Sequence, residues 1–514
     1  MNERSISLAR RAFTPLLLLG ILDRLFLLVT FGFKYVGDDD GVIWSAAVDY
    51  GHGLFREPYF YGQDYAFMLE ALVAAPFTHW DIPLHILMPT VTSLLALAPF
   101  WSFAFWHRKH DRPVAALFFL AMPVLLPDEY GMMTTMTRCF ISGIAPLAFL
   151  PWALDLRSDR TRALVIGLVV SASAFINPNS LVFSVAFLVW LVAKEKRRTY
   201  AIRWLAVGAL PFAAAYFAAQ AYCRTHPERI VQVVNDWRMT FHPELIPESF
   251  GMLNLHFAWL FPLLPSLGGL AFSVMILMAA WQISRRDRAR GLGLAGAVLF
   301  TILSFAFPKT HDGTENVFFA YSRMYLALPL LLCWGSGHVE MSQRATRGMV
   351  IVMLTGCMIA SGLMIARFPG VILRQTGPNG PVAELPVKEV TADAAHLLRL
   401  QKEYAVGLIA ALDFGYRFAP QIRCFLYPAI EPALAPTYMK GDRRYWQRDA
   451  YASRVVPTLL IVGGDSSRWA SWSAEDDRLL DVSDRRSGPL HVLRGNTEPT
   501  DSLLDRFSRM KGSQ

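Results

Sequence analysis

The sequence predicts a polytopic α-helical membrane protein with a small C-terminal α/β domain. Of its 514 residues 54% are hydrophobic, and mean hydropathy is +0.33, more apolar than soluble domains. Apolar runs recur over roughly the first 366 residues, and Lys and Arg concentrate in alternate loops between them.

The runs predict about eleven spans, near 13–33, 83–106, 113–127, 139–154, 163–176, 180–193, 204–222, 257–283, 291–307, 322–334 and 348–366. The first is too long for a signal-peptide core and no small-residue cleavage site follows, so it reads as an uncleaved span. Several fall below the usual twenty residues, which predicts tilt or breaks at prolines such as Pro178 and Pro329. Loops containing Arg10, Arg108, Arg157, Lys194, Arg285 and Arg344 share one side. That side has about 20 Lys/Arg in roughly 56 loop residues, against about 8 in roughly 113 on the other. The first is therefore cytoplasmic, and loops 34–82, 128–138, 223–256 and 308–321 face outward. The net charge of +8 is spread through these loops without a single basic patch, which argues against nucleic acid. An odd number of spans also sends the C-terminal segment outward.

That segment, 367–514, reads as a separate α/β domain. Thr458–Asp465 is a strong buried strand ending in a turn, and Arg423–Tyr427 and Leu490–Leu493 read as two more. Residues after about Glu498 read as a disordered tail. Neither a GxGxxG nor a Walker pattern occurs there. The five cysteines, Cys139, Cys223, Cys333, Cys357 and Cys424, are scattered, so no disulfide framework is expected. The histidines lack zinc-ligand spacing, and no metal is expected.

Directly after the first span come Asp38, Asp39 and Asp40. Adjacent carboxylates repel, so such a triplet can keep one group poised as a base. The competing reading is a helix N-terminus, where Asp serves as a cap and complements the dipole. The same loop carries Trp44, Tyr59, Tyr61, Gln63, Asp64, Tyr65 and Glu70. Aromatic faces with interspersed hydrogen-bonding groups suit sugars, although interfacial belts also concentrate Tyr and Trp. Asp23 and Arg24 lie mid-span and point about 100° apart on a helix, so each calls for its own partner.

The segments Asp39-Asp40-Gly41 to Gly53 and Tyr61-Gly62-Gln63-Asp64-Tyr65 to Leu69-Glu70-Ala71 resemble the first periplasmic loop of bacterial GT-C glycosyltransferases. The likeness is to the family 39-like proteins, relatives of protein O-mannosyltransferases and aminoarabinose transferases. It implies Asp39 as the catalytic aspartate and Asp40 as its acidic partner, with Asp40 departing from the family's Glu. Asp38 is an additional acid. The resemblance further implies an inner-membrane enzyme with a periplasmic site. It would transfer a sugar from a polyprenyl-phosphate donor to a glycan, lipid or protein acceptor, without an organic cofactor. A divalent cation is compatible but not indicated. Tyr61, Gln63, Tyr65 and Glu70 become sugar-pocket candidates. In the second outer loop Asp128 or Glu129 would orient the acceptor and Arg138 would face phosphate. Lys309 and His311 precede Arg323-Met324-Tyr325-Leu326-Ala327-Leu328-Pro329, which looks like the family's Arg-x-Tyr-Leu-x-x-Pro element. That makes Lys309, His311, Arg323 and Tyr325 binding candidates, and an arginine on the outward side runs against the positive-inside bias. A transporter or flippase of polyprenyl-linked sugars is the alternative class, and a polysaccharide polymerase or ligase is a third. No internal repeat of the kind transporters carry is present.

Overall fold

The computed structural model describes residues 3–233, 239–285, 287–311, 321–336, 342–376, 385–412, 419–463, 478–483 and 489–509. Helices dominate. In chain order they begin with Glu3–Leu27 (α1), Asp38–Gly51 (α2), Leu69–Ala74 (α3), Leu84–Lys109 (α4), Pro113–Leu125 (α5) and Asp128–Met133 (α6). Next are Leu150–Ala153 (α7), Asp159–Ile176 (α8), Leu181–Lys194 (α9), Arg198–Thr225 (α10), Leu245–Gly251 (α11) and Leu253–His256 (α12). Leu270–Ser284 (α13), Arg288–Ser304 (α14), Leu328–Ser336 (α15) and Gln343–Thr376 (α16) complete the apolar region. The C-terminal segment adds Val387–Tyr404 (α17), Ala419–Ile430 (α18), Tyr445–Tyr451 (α19) and Thr500–Arg509 (α20). Strands are Tyr35–Val36 (β1), Leu385–Pro386 (β2), Leu408–Ala411 (β3), Thr437–Met439 (β4), Thr458–Val462 (β5), Leu479–Asp481 (β6) and Leu490–Arg494 (β7).

The chain divides into two compact units. The first comprises residues 1–32, 89–220 and 234–382 and is helical. Each of the eleven apolar runs contains helix, and Ser7–Gly32, Leu84–Lys109, Arg198–Thr225 and Gln343–Thr376 are long and apolar enough to cross a membrane. The shorter runs are broken where the sequence breaks them. Residues 257–269 hold only a short 3₁₀ turn, Pro265–Leu267, and helix starts at Leu270. Pro262, Pro265 and Gly268-Gly269 interrupt what otherwise reads as one continuous span. Run 139–154 likewise splits into a 3₁₀ stretch, Ser142–Phe149, and the short α7. The mid-span ionic pair does take separate partners. Arg24 donates to the Thr134 hydroxyl at 2.6 Å, while Asp23 accepts from Ser361 at 3.2 Å.

The second unit comprises 33–88, 221–233 and 383–514. Its five-stranded sheet has the order β4-β3-β5-β7-β6, with β3 parallel to β4 and β5, and β7 antiparallel to β5 and β6. A parallel β3–β4 pair needs a crossover, and α18 lies between them in sequence. Arg423–Tyr427, expected as a strand, falls in that helix. Cys424, Phe425, Leu426 and Tyr427 are all buried, and a short continuous apolar run does not distinguish a buried helix turn from a buried strand. Arg423's side chain, and Asp465 at the end of the expected β5 strand, lie outside the described residues. The expected disordered tail is instead α20, whose Leu503, Leu504 and Phe507 join the sheet's core with Leu408, Leu459, Ile461 and Leu493. Spacing of 1 and 4 residues puts those three on one helical face.

The loop after α1 belongs to this second unit. β1 pairs antiparallel with β2, and the Val387 N–H donates to the Lys34 carbonyl at 2.8 Å. Helix α2 packs on α18 closely enough that a Cβ at Gly41 would lie 2.9 Å from Leu426 Cδ2.

Candidate functional site

The triplet occupies the first turn of α2, as the helix N-terminus reading expects. Asp40 is 4% exposed and accepts the Gly37 N–H at 2.9 Å, closing the N-terminus of the helix from its third residue. That is a structural assignment for the residue expected as the acidic partner. Asp39, one position back, points elsewhere and pairs through Oδ1 with Nη1 of Arg443 at 3.1 Å. Its side chain is 24% exposed, and Arg443's 15%. The Asp38 side chain lies outside the described residues.

A second layer ties the far end of α2 to the 443 segment. Asp49, at the far end of α2, accepts from Arg56 at 3.0 Å and from the Tyr61 hydroxyl at 2.9 Å. Tyr61 is fully buried, edge-on to Trp446 at 4.8 Å, and Arg56 lies over the same Trp446 at 4.3 Å. Burial, and next to it Asp49, pushes the Tyr61 phenol upward, so it acts as a neutral donor. Gly62 has φ +72°, and a Cβ there would lie 2.9 Å from that of Arg443, so only glycine permits this turn against the 443 segment. The Gly62 carbonyl accepts from Val231 and Gln232 at 2.8 and 3.0 Å, and Gln63 donates to the Gln232 side chain at 3.0 Å. Gln63 thus braces segment 230–233. Glu70 is fully buried in the first turn of α3, and Tyr65 is half-buried.

Glu57 is 2% exposed; one carboxyl oxygen accepts the Gly62 N–H at 2.7 Å, and Oε1 has no hydrogen-bond partner. Burial raises its pKa to about 7, opposed by the Gly62 N–H, Arg448 and Arg229. A carboxyl poised near neutral pH, in the same loop as Tyr61, is able to exchange a proton under physiological conditions.

Sequence reasoning missed Arg443, Trp446, Arg448, Arg56 and Glu57. The signal was present in Asp442-Arg443-Arg444-Tyr445-Trp446-Gln447-Arg448, a dense run of cations and aromatics in a segment assigned to the arginine-poor side. Arg444 is buried against Asp442 at 2.7 Å and the Thr437 carbonyl at 3.0 Å, which rigidifies the segment presenting Arg443. Arg448 donates to the Asp442 carbonyl at 2.7 Å and to the Glu228 carbonyl at 2.5 Å.

The remaining candidates lie in the first unit. Asp128, 4% exposed at its side chain, takes both arms of Arg367 at 2.7 and 3.1 Å. Burial, with Asp128 adding to it, raises the Glu129 carboxyl against the pull of Arg367 and Arg374. Arg138 is buried. Lys309 is buried in the 3₁₀ turn Pro308–His311, and the His311 Nε2 donates to the Phe305 carbonyl at 2.8 Å. Arg323, 7% exposed, lies over Phe140 at 5.2 Å, and Tyr325 shares a hydrogen bond with Ser304 at 2.9 Å. Asp312 and Gly313, and Asp236, Trp237 and Arg238 of the 223–256 loop, lie outside the described residues. Among the described residues no group of three or more His, Cys, Asp or Glu is arranged to hold a metal ion.

The fold is ArnT-like. The crystal structure of apo ArnT from Cupriavidus metallidurans superposes with a TM-score of 0.58 at 11% identity, over 93% of this chain and 98% of that one. The same protein bound to undecaprenyl phosphate gives 0.53 at 10% identity, over 92% and 97%. No protein-family model matches the chain, and no curated protein sequence does. The class these observations define is a largely helical protein with membrane-length apolar helices and a small C-terminal mixed sheet. The particular fold is the one shared with ArnT from Cupriavidus metallidurans.

Proposed function

We propose that the protein is a GT-C glycosyltransferase of the bacterial inner membrane that moves one sugar from a polyprenyl-phosphate donor to an acceptor hydroxyl on the periplasmic face. The observation that carries the reading is Asp39, a half-buried carboxylate fixed by Arg443 on a fold shared with ArnT. Asp39 takes the proton of the acceptor hydroxyl as that oxygen bonds to the anomeric carbon. The bond from the anomeric carbon to the phosphate oxygen breaks, and its electrons leave with the lipid phosphate. Arg443 and the α2 N-terminus complement the carboxylate and hold its direction. Tyr61, Gln63, Tyr65 and Glu70 are assigned to the sugar loop, and Asp128 and Glu129 to the acceptor. Arg138, Lys309, His311, Arg323 and Tyr325 are assigned on sequence grounds to the donor, with the arginines and lysine on phosphate. Asp40 serves this reading as a cap that fixes Asp39.

The test is release of free polyprenyl phosphate from a polyprenyl-phosphate sugar by purified protein in lipid. Asp39→Asn keeps the shape and removes the base, so turnover should fall by roughly 10² to 10⁴ with donor binding retained. Arg323→Ala should lower turnover at saturating donor more than Arg323→Lys, which keeps the charge but loses the planar fork. Intact donor crossing the bilayer uncleaved would establish the transporter reading instead.

A further inference from the structure

We propose that the first unit carries a second, anion-binding cavity that takes a phosphate group, apart from every residue assigned above to sugar transfer. The cavity has a volume of about 1130 Å³ and is walled by residues from 103–112, 154–163, 190–201, 287–290 and Trp334. These are the loops that carry the lysine and arginine excess. Its size is that of a pocket for a headgroup or small cofactor, well beyond a single ion.

Three observations define its chemistry. Four helices of 13, 18, 28 and 17 residues, α5, α8, α10 and α14, begin at its wall. Helix N-termini present N–H groups and partial positive charge to whatever lies in front of them. Ser158 caps α8 and Asp287 caps α14, whereas α5 has no side-chain cap.

The second observation is charge balance. The lining holds seven Lys/Arg and four Asp/Glu. Each carboxylate is already engaged: Asp155 by Lys109 at 2.8 Å and His110 at 2.9 Å, Asp159 and Glu195 by Arg162 at 2.5 and 2.8 Å, and Asp287 by Arg290 at 3.0 Å. The surplus is cationic.

The third is Arg290, which stands deep in the wall. Its side chain is 4% exposed, its guanidinium lies 5.1 Å from the Trp334 ring, and its Nε has no hydrogen-bond partner. Asp287 attracts it from one side and Arg112 repels it from another. Asp287 meets Nη1 at 3.0 Å, yet Nε remains without an acceptor amid a surplus of like charges, and a buried donor in that state is costly until an acceptor with further negative charge arrives. Phosphate supplies both, with a geometry that matches the guanidinium fork. Trp190 and Trp334, edge-on at 5.8 Å, offer an apolar floor for whatever the phosphate is attached to. A surface belt of arginines meeting acidic lipid would need neither the buried Arg290 nor this floor.

The shared chemistry is a phosphate ester, from a lipid headgroup or from a water-soluble molecule, and two arms separate the sources. The full chain is placed in phosphatidylcholine nanodiscs and titrated calorimetrically with inorganic pyrophosphate. In parallel, nanodiscs with a rising fraction of phosphatidic acid are analysed by native mass spectrometry for retained lipid. Saturable pyrophosphate binding points to a soluble ligand, and saturable phosphatidic acid retention to a headgroup. In either arm Arg290→Gln should weaken binding by about tenfold or more. The double variant Lys196→Gln/Arg197→Gln, on an exposed loop where folding is not at stake, should weaken it roughly threefold and flatten its salt dependence. The proposal is overturned if neither probe binds saturably, or if the double variant and every folded Arg290 variant bind as the wild type does.

Discussion

Glu57 gives the second unit a titration within the physiological range. Its carboxyl is raised from 4.5 to about 7, chiefly by burial, so between those values the folded protein holds a proton that the unfolded chain has released. Stability tied to this group is fully present below about pH 4.5 and is lost as pH rises through 7, a change of roughly 3 kcal/mol. Glu57→Gln keeps a carbonyl oxygen for the Gly62 N–H and removes the titration. Thermal unfolding of the wild type in detergent should therefore shift down between pH 5.5 and 8, and the variant's shift should be smaller. An identical shift in both proteins would mean that Glu57 does not titrate there. Nearby, Asp39 and Asp40 show how one helix turn assigns different work to adjacent identical residues. The third position reaches back to the Gly37 N–H, while the second is turned about 100° away toward Arg443.

Helix α20 is the element most at odds with its sequence. Its charged residues and position near the chain end suggest a solvated tail, yet Leu503, Leu504 and Phe507 are at most 4% exposed against β3, β5 and β7. Leu504→Ala should cost about 2–4 kcal/mol, because Leu504 is 1% exposed and its truncation opens a cavity in the sheet's core. The measurement is the unfolding midpoint of the sheet, followed by near-ultraviolet circular dichroism or proteolysis at the C-terminal segment. A midpoint unchanged within 0.5 kcal/mol, roughly the size of a surface substitution, would show that α20 does not stabilise the sheet. Helix α18 makes the complementary point. Four successive buried residues fit a strand equally well, and packing against α2, where Gly41 lets the helices approach, selects helix.

At the scale of the molecule, the distribution of arginine predicts orientation. Reporter fusions after Ser284 and Arg344 should give cytoplasmic signals, and those after Val42, Thr314 and Gly463 periplasmic ones. A cytoplasmic signal after Gly463 would separate the C-terminal sheet from the face proposed for chemistry and overturn the span count. The phosphate cavity gives the same test a second meaning, since its walls come from the loops expected inside.

The sequence by itself determined the helical class, the position of every apolar run, C-terminal strands starting at Thr458 and Leu490, and the loop in which Asp39 sits. These follow from local quantities: length and hydropathy of a run, alternation, and proline or glycine at a break. It could not show that Arg443, 404 residues away in the chain, is the partner of Asp39, or that Trp446 backs Tyr61. Nor could it show which of Asp39 and Asp40 closes the helix N-terminus and which pairs with Arg443, or separate tail from core helix after Glu498. Those outcomes depend on which side chains meet across long sequence separations, and burial and ion pairing are set by that meeting; the tertiary structure alone decided them.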